Sequence, residues 1–159
     1  MKTATVREIK LELKDKNQEE LIGICLDLSK FKKENKELLT YLLFEKENEE
    51  EYIDSIKEEI ALLFQEIQER TLYHKRKGVR KILRITKKYI RYSKNKETEV
   101  ELLIFYISEI KQTINYCYTQ SKVLLNIYDK QIEFVKKKIK LLHEDLQYDY
   151  SSLLNGVIE

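Results

Sequence analysis

An all-α fold without a sheet is predicted by three features of this chain. It has no proline, it has three isolated glycines, and its apolar residues recur at helical spacing. Turns between strands depend on glycine and proline for their backbone angles, so a chain this poor in both is not built from hairpins. A hydrophobic content of 42% excludes a wholly disordered chain, and a charged content of 36% is typical of elongated helical proteins.

We therefore expect the chain to form a single helical domain over residues 1–159, with short N-terminal helices in residues 1–45 and longer packed helices in residues 46–159. The architecture would be an antiparallel helical bundle or a short stack of helical hairpins, with about seven helices. The three longest C-terminal helices have similar lengths and short polar links, which favours antiparallel neighbours. No repeat consensus at a fixed period accompanies them.

Two capping signatures mark the first helices. Thr5 with Glu8 fits a capping box, in which the hydroxyl accepts from the N3 amide and the carboxylate accepts from the cap amide. Asn17 with Glu20 repeats this signature and opens a second helix. Gly23 within that helix costs ~1 kcal/mol against alanine, so we expect it to mark close packing. A third helix carries an apolar set: Leu38, Leu39, Leu42, Leu43 and Phe44.

The fourth and fifth helices form a charged pair. The fourth is predicted over about residues 49–74, and its apolar residues follow a heptad seam that suits a bundle or hairpin helix. That seam consists of Ile53, Ile56, Ile60, Leu63 and Ile67. The fifth helix is predicted over about residues 78–93, with Asn95 ending it. Its apolar side consists of Val79, Ile82, Leu83, Thr86, Tyr89 and Ile90.

The sixth helix, over about residues 98–120, is apolar nearly all round, so we expect it to be the central packing element. The seventh is predicted over about residues 122–147, with one apolar stripe and several nearby lysines. A short last helix would follow over residues 148–158, with Gly156 as a stop signal.

Charge changes sign in the middle of the chain. Residues 47–69 hold nine acids and one base, whereas residues 70–96 hold twelve bases and no acid. Six of these bases fill the polar side of the fifth helix and form the candidate binding face: Arg80, Lys81, Arg84, Lys87, Lys88 and Arg91. In the first interpretation this side is a solvated face that acids of the fourth helix, such as Glu58, Glu59 and Glu66, partly neutralise.

The other two interpretations give this face an outside partner. One is an acidic protein surface. The other is a nucleic acid, whose phosphates would take the cations while exposed tyrosines stack on bases. Tyr73, Tyr89 and Tyr92 lie in this segment, although Tyr89 falls on the apolar side. We expect a non-enzymatic interaction or scaffold protein that contacts an acidic partner through a basic helix over about residues 75–96, with nucleic-acid binding as the alternative.

Signatures of catalysis and metal binding are missing from the sequence. His74 and His143 lie in unrelated contexts, and neither has the spacing of a metal site. Three isolated glycines make no phosphate-binding loop. Cys25 and Cys117 are far apart, and with no secretory signal they indicate a reduced, cytoplasmic protein. We expect no enzyme, no cofactor and no metal. The longest apolar run is far shorter than the ~20 residues of a membrane span, so no membrane partner is expected.

Three segments carry a resemblance to an uncharacterised bacterial family of small all-helical proteins, a domain of unknown function. The first runs from Thr5 to Leu13 and continues at Asn17 to Ile22; the others are Val79 to Leu83 and Glu101 to Ile107. The resemblance implies an all-helical fold and no activity, so it transfers no catalytic residue. The first two helices also resemble short helix–loop–helix nucleic-acid modules, but lack the glycine-rich turn of such modules.

Overall fold

The computed structural model describes residues 2–116 and 121–159, and in these residues the protein is helical with no strand. Eight α-helices occur in the described part: α1 Val6–Lys14, α2 Gln18–Phe31, α3 Lys33–Thr40, α4 Glu49–Gln68, α5 Leu72–Ser93, α6 Lys96–Tyr116, α7 Lys122–Ile139 and α8 Glu144–Ile158. A π-helical segment, Tyr41–Glu45, follows α3 directly. The all-α class and the bundle-like packing are confirmed, and the predicted count of helices is close.

Two compact units divide the chain, Met1–Phe44 and Glu45–Glu159. The division falls next to the boundary at which the sequence predicts a change from short to longer helices. The prediction of a single domain over all 159 residues is not tested by this division and stays a prediction.

The first unit contains α1, α2 and α3, of which α2 and α3 contact each other. Both predicted capping boxes are confirmed. The Thr5 amide donates to Glu8 Oε2 at 2.7 Å, and the Asn17 amide donates to Glu20 Oε2 at 2.9 Å. These backbone hydrogen bonds are the main reason that the pKa of the Glu8 and Glu20 carboxyls lies below its usual range.

Most large apolar side chains of the first unit are exposed. None of the residues of α1, α2 and α3 is buried, whereas Tyr41 in the following π-helical segment is buried. Phe31 and Phe44 are 76% and 77% exposed. Apart from Gly23 itself, its chain neighbours and the backbone of its own helix, no described atom lies within 4 Å of the place that a Cβ on Gly23 would take. The prediction that Gly23 marks close packing is therefore wrong.

The second unit is an up-and-down arrangement of α4 to α8, as its cross-helix contacts show. Glu59 of α4 meets Tyr89 of α5, and Glu49 near the start of α4 meets Ser93 at the end of α5, so the two helices are antiparallel. Lys57 of α4 forms an ion pair with Glu101 of α6 at 2.6 Å, and the ring of the later residue Phe64 contacts the Tyr106 ring of α6 in a tilted arrangement. Helices α4 and α6 are therefore parallel.

Helix α6 contacts all four other helices of this unit. Several of its residues are fully buried: Val100, Leu102, Leu103, Tyr106, Ile107 and Ile110. The Tyr106 ring lies 5.5 Å from the Phe64 ring between centroids, and its hydroxyl donates to the Val79 carbonyl at 3.1 Å. The hydrogen bond satisfies a hydroxyl that would otherwise be costly to bury. The predicted role of α6 as the central packing element is confirmed.

The boundary between α4 and α5 differs from the prediction. Helix α4 ends at Gln68 and α5 begins at Leu72, because the backbone at Thr71 is extended and interrupts the helical path. Gly78 therefore lies inside α5 and does not begin it. A Cβ on Gly78 would lie 2.6 Å from Cγ2 of Ile67, so the glycine leaves room for the Ile67 side chain of the antiparallel helix α4.

Two other predicted stop signals are also wrong. The α5 helix ends at Ser93 with Lys94 in the left-handed region (φ 58°), and Asn95 instead accepts a hydrogen bond from the Glu97 amide at the start of α6. Helix α8 continues through Gly156 to Ile158, starting earlier than predicted because α7 ends at Ile139. The Lys111 ammonium donates to the last carbonyls of α8, those of Val157 and Ile158.

Candidate interaction surface

Helix α5 separates its residues into a buried stripe and a charged face. The buried stripe consists of Lys75, Val79, Ile82, Thr86 and Ile90. The Thr86 hydroxyl donates to the Ile82 carbonyl at 3.0 Å, which satisfies it within its own helix. Because this stripe packs on α4 and α6, the bases between its turns are directed away from the core.

We call the six bases predicted from the sequence the basic face: Arg80, Lys81, Arg84, Lys87, Lys88 and Arg91. Five are exposed and Lys88 is half-buried. Arg80, Arg84, Lys87 and Arg91 follow steps of four, three and four residues, so they lie in one row along the helix. At 1.5 Å per residue the row is about 16 Å long.

The α4–α5 contact involves hydroxyl groups rather than the bases of the row. The Tyr89 hydroxyl donates to Glu59 Oε2 at 2.8 Å, and the Tyr52 hydroxyl donates to the Tyr89 carbonyl at 3.0 Å. A third bond runs from the Ser93 hydroxyl to the Glu49 carboxylate. Glu59, which the sequence places near arginines or lysines of the fifth helix, therefore bonds a tyrosine.

Five members of the basic face form no ion pair within the described residues. They are Arg80, Lys81, Arg84, Lys87 and Arg91. The α4 carboxylate Asp54 pairs instead with Lys57 of its own helix, at 3.7 Å. Neutralisation of the basic face by acids of α4 is therefore not seen for these five cations.

Aromatic rings border the basic face on both sides. Toward α4, the Lys88 ammonium lies 4.5 Å from the centre of the Tyr89 ring. Toward α7, the Lys87 ammonium lies 5.3 Å from the centre of the Phe134 ring, and the Lys138 ammonium of α7 lies 5.1 Å from the same ring. Cations at these distances are attracted to the face of the ring by its quadrupole. Phe134 was not predicted as part of the site, because the α7 periodicity alone does not show which helix it borders.

Of the three tyrosines in the basic segment, Tyr73 is the accessible one. It is 59% exposed, whereas Tyr89 is half-buried and Tyr92 is buried. Tyr73 precedes Arg80 by seven residues and so lies on the same side of α5. The Lys77 ammonium lies 4.9 Å from the centre of its ring.

Carboxylates gather in a cleft elsewhere in the second unit. The cleft has a volume of about 460 Å³ and includes Glu49, Glu50, Glu97 and Glu101 in its lining. Burial, together with the charges of Glu101 and Glu97, raises the pKa of Tyr150 in this cleft to about 12. Lys57 bonds Glu101 in the same cleft, so part of this negative charge is already compensated.

The remaining candidates for chemistry have structural partners or lie apart. His74 shares a hydrogen bond with the Thr71 hydroxyl at 2.8 Å, and His143 is paired with the exposed Asp145. Cys25 is exposed on α2, and Cys117 lies outside the described residues. In residues 2–116 and 121–159, no group of three or more histidine, cysteine or carboxylate side chains is placed to hold a metal ion.

No protein-family model, curated protein or solved structure matches the chain. The resemblance to a bacterial family therefore stays a prediction. Among the described helices, none combines the length and the apolar character needed to cross a bilayer.

Proposed function

We propose that this chain is a non-enzymatic interaction module that binds an acidic partner protein through the basic face of α5. The observation that carries the proposal is the row of four exposed cations, Arg80, Arg84, Lys87 and Arg91, which have no carboxylate partner in the described residues. The protein as a whole is nearly neutral, at +2, so the positive charge of this face is local.

The row opposes the stability of its own helix. Like charges three or four residues apart repel by ~0.2–0.5 kcal/mol per pair. None of the row's cations is needed to satisfy a buried acid. A partner that supplies carboxylates relieves this repulsion, and arginine forms two parallel hydrogen bonds to a carboxylate.

An acidic helix matches the spacing of the row. Carboxylates placed three and four residues apart on a partner helix recur with the same 5.4 Å pitch as the cations of α5. Each exposed pair is worth only ~0–1 kcal/mol, so several must form together and binding will weaken as salt rises.

The test reverses the three arginines in the variant R80E/R84E/R91E. Three lost ion pairs at ~0.5–1 kcal/mol each correspond to at least about tenfold weaker binding. Labelled polyglutamate is the probe, and its fluorescence anisotropy is measured. The matched control, K10E/K14E/K32E, makes the same change in net charge at exposed positions of the first unit and should bind nearly as the parent does.

Circular dichroism should show unchanged helicity in both variants, because all six positions are exposed. Failure of the parent protein to bind polyglutamate, or equal weakening by both variants, contradicts the proposal.

Nucleic-acid binding is the second candidate, and exposed Tyr73 on the same side of α5 is the observation that favours it. A ring in this position offers a surface on which an unpaired base stacks. The same three proteins are therefore titrated with single-stranded and duplex DNA over a range of salt concentrations. If log affinity falls with log salt concentration with a slope of about 0.9 for each phosphate contact, the protein binds duplex DNA. A parent protein that binds polyglutamate but does not bind DNA rules this candidate out.

A further inference from the structure

We infer that the binding surface is two helices wide, and that the partner is an acidic amphipathic helix lying along the groove between α5 and α7. This inference rests on the proposed function, since it extends the basic face onto the neighbouring helix. It adds Lys130 and Lys137 as binding residues and Phe134 as the floor of the groove.

Helices α5 and α7 lie side by side in the same direction. Near one end the Arg76 guanidinium donates to the Ser121 hydroxyl at 3.0 Å, and further along Lys87 lies over Phe134. From the first contact to the second, the chain advances by 11 residues in α5 and by 13 residues in α7. Because both helices advance in the same direction, α5 and α7 are parallel. Packed helices lie ~8–10 Å apart, so a shallow groove runs between their outer faces.

Phe134 lies on the α5 side of α7, between cations from both helices. Lys130 precedes it by four residues and Lys137 follows it by three, so both lie on its side of the helix. Both are exposed. Lys138 contacts the same ring but also pairs with Glu99 at 2.8 Å, so its charge is largely compensated within the protein. On the Phe134 side of α7, Lys130 and Lys137 are the cations that form no ion pair within the described residues.

The groove combines apolar and basic groups in the order that an amphipathic helix requires. Half-buried Phe134 supplies the apolar surface of the groove. Arg80 and Arg84 lie on one flank, and Lys130 and Lys137 lie on the other. A helix with an apolar stripe and glutamates on both sides of that stripe would satisfy all of these groups, as in the flanking charges of a coiled coil.

The experiment compares two variants of α7. K130E/K137E reverses the proposed cations, whereas K136E/K140E makes the same charge change at exposed lysines directed away from Phe134. The probe is a synthetic peptide with leucine at heptad positions a and d and glutamate at e and g. We expect about tenfold weaker binding for K130E/K137E, which corresponds to the loss of two pairs at ~0.7 kcal/mol each, and a less than about twofold change for K136E/K140E.

The outcomes distinguish failure of the proposed function from failure of this inference alone. If R80E/R84E/R91E binds the peptide and polyglutamate as the parent does, the proposed function fails and the inference fails with it. If that variant is weakened but K130E/K137E equals K136E/K140E, only the role of α7 is overturned. If K130E/K137E weakens duplex DNA binding more than peptide binding, the groove serves a nucleic acid and the inferred partner is wrong.

Discussion

At the scale of single residues, two of the helical glycines, Gly23 and Gly78, differ in what surrounds them. Both lie inside continuous helices, where alanine would be favoured by ~1 kcal/mol. Gly23 has open space beside it, whereas the missing Cβ of Gly78 makes room for Ile67. Sequence alone does not distinguish these two cases, because the difference is the presence or absence of a neighbour from another helix.

The alanine substitutions should therefore have opposite signs. In Gly78→Ala the new Cβ would press against the Cγ2 methyl group of Ile67. This methyl group is attached directly to the Cβ of Ile67, so it cannot move far away. Overpacking costs ~1–3 kcal/mol, so we expect a net destabilisation despite the better helix propensity. Gly23→Ala should leave stability unchanged or raise it by up to about 1 kcal/mol. Urea unfolding of both variants measures this, and a stabilised Gly78→Ala protein would show that α4 and α5 are further apart.

Tyr150 gives the protein a sensitivity to alkaline pH. Its folded pKa of about 12 is above the unfolded value of about 10, because burial and the charges of Glu101 and Glu97 disfavour the phenolate. The stability that the neutral phenol contributes is fully present below pH ~10 and is lost as pH rises toward 12. Tyr150→Phe should therefore show a smaller fall in the free energy of unfolding over this window.

Tyr148→Phe is the control for this measurement, since Tyr148 is 79% exposed on the same helix. Chemical denaturation at a series of pH values, read by circular dichroism, gives the comparison. Equal slopes for Tyr150→Phe and the parent protein above pH ~10 would exclude Tyr150 as the source.

At the scale of elements, the helices with local signals were predicted well. Helices α1 and α2 begin where Thr5 and Asn17 cap them, because a capping box is complete within four residues. The start of α5 was placed six residues too late, at Gly78 instead of Leu72. Glycine is a common breaker, and here its tertiary role in the approach to Ile67 outweighs that tendency.

For the basic face, too, the sequence predicts which residues share one side of a helix but not which neighbouring helix they contact. The residues on it follow from a period of 3.6, and their placement on one side of α5 was predictable. Whether acids of α4 would cover them was not predictable, because the sequence does not show which side of α4 packs against α5. Its contact with α5 uses the Tyr52 and Tyr89 hydroxyls, which no charge count reveals.

At the scale of the whole molecule, the buried residues of α4 to α8 belong to one compact unit, whereas the first unit exposes most of its large apolar side chains. A unit of about 40 residues rarely has a sufficient core of its own. The two units should therefore differ in independent stability.

Two fragments test this difference. Residues 45–159 should unfold cooperatively in urea, because the contacts among α4 to α8 lie within this range. Residues 1–44 alone should show weak helicity and no cooperative transition, since short helices without tertiary packing are marginal in water. A fragment 45–159 that lacks a cooperative transition would contradict the division into units.

The sequence by itself determined the helical class, the capped starts of α1 and α2, the burial of α6 and the segregation of charge between residues 47–69 and 70–96. These follow from local hydrogen bonding and from periodicity, which are properties of neighbouring residues. Only the tertiary structure decided that five cations of the basic face form no ion pair within the described residues and that Phe134 borders this face. Periodicity shows that a stripe exists, but which helix packs against each stripe depends on the docking of residues far apart in the chain.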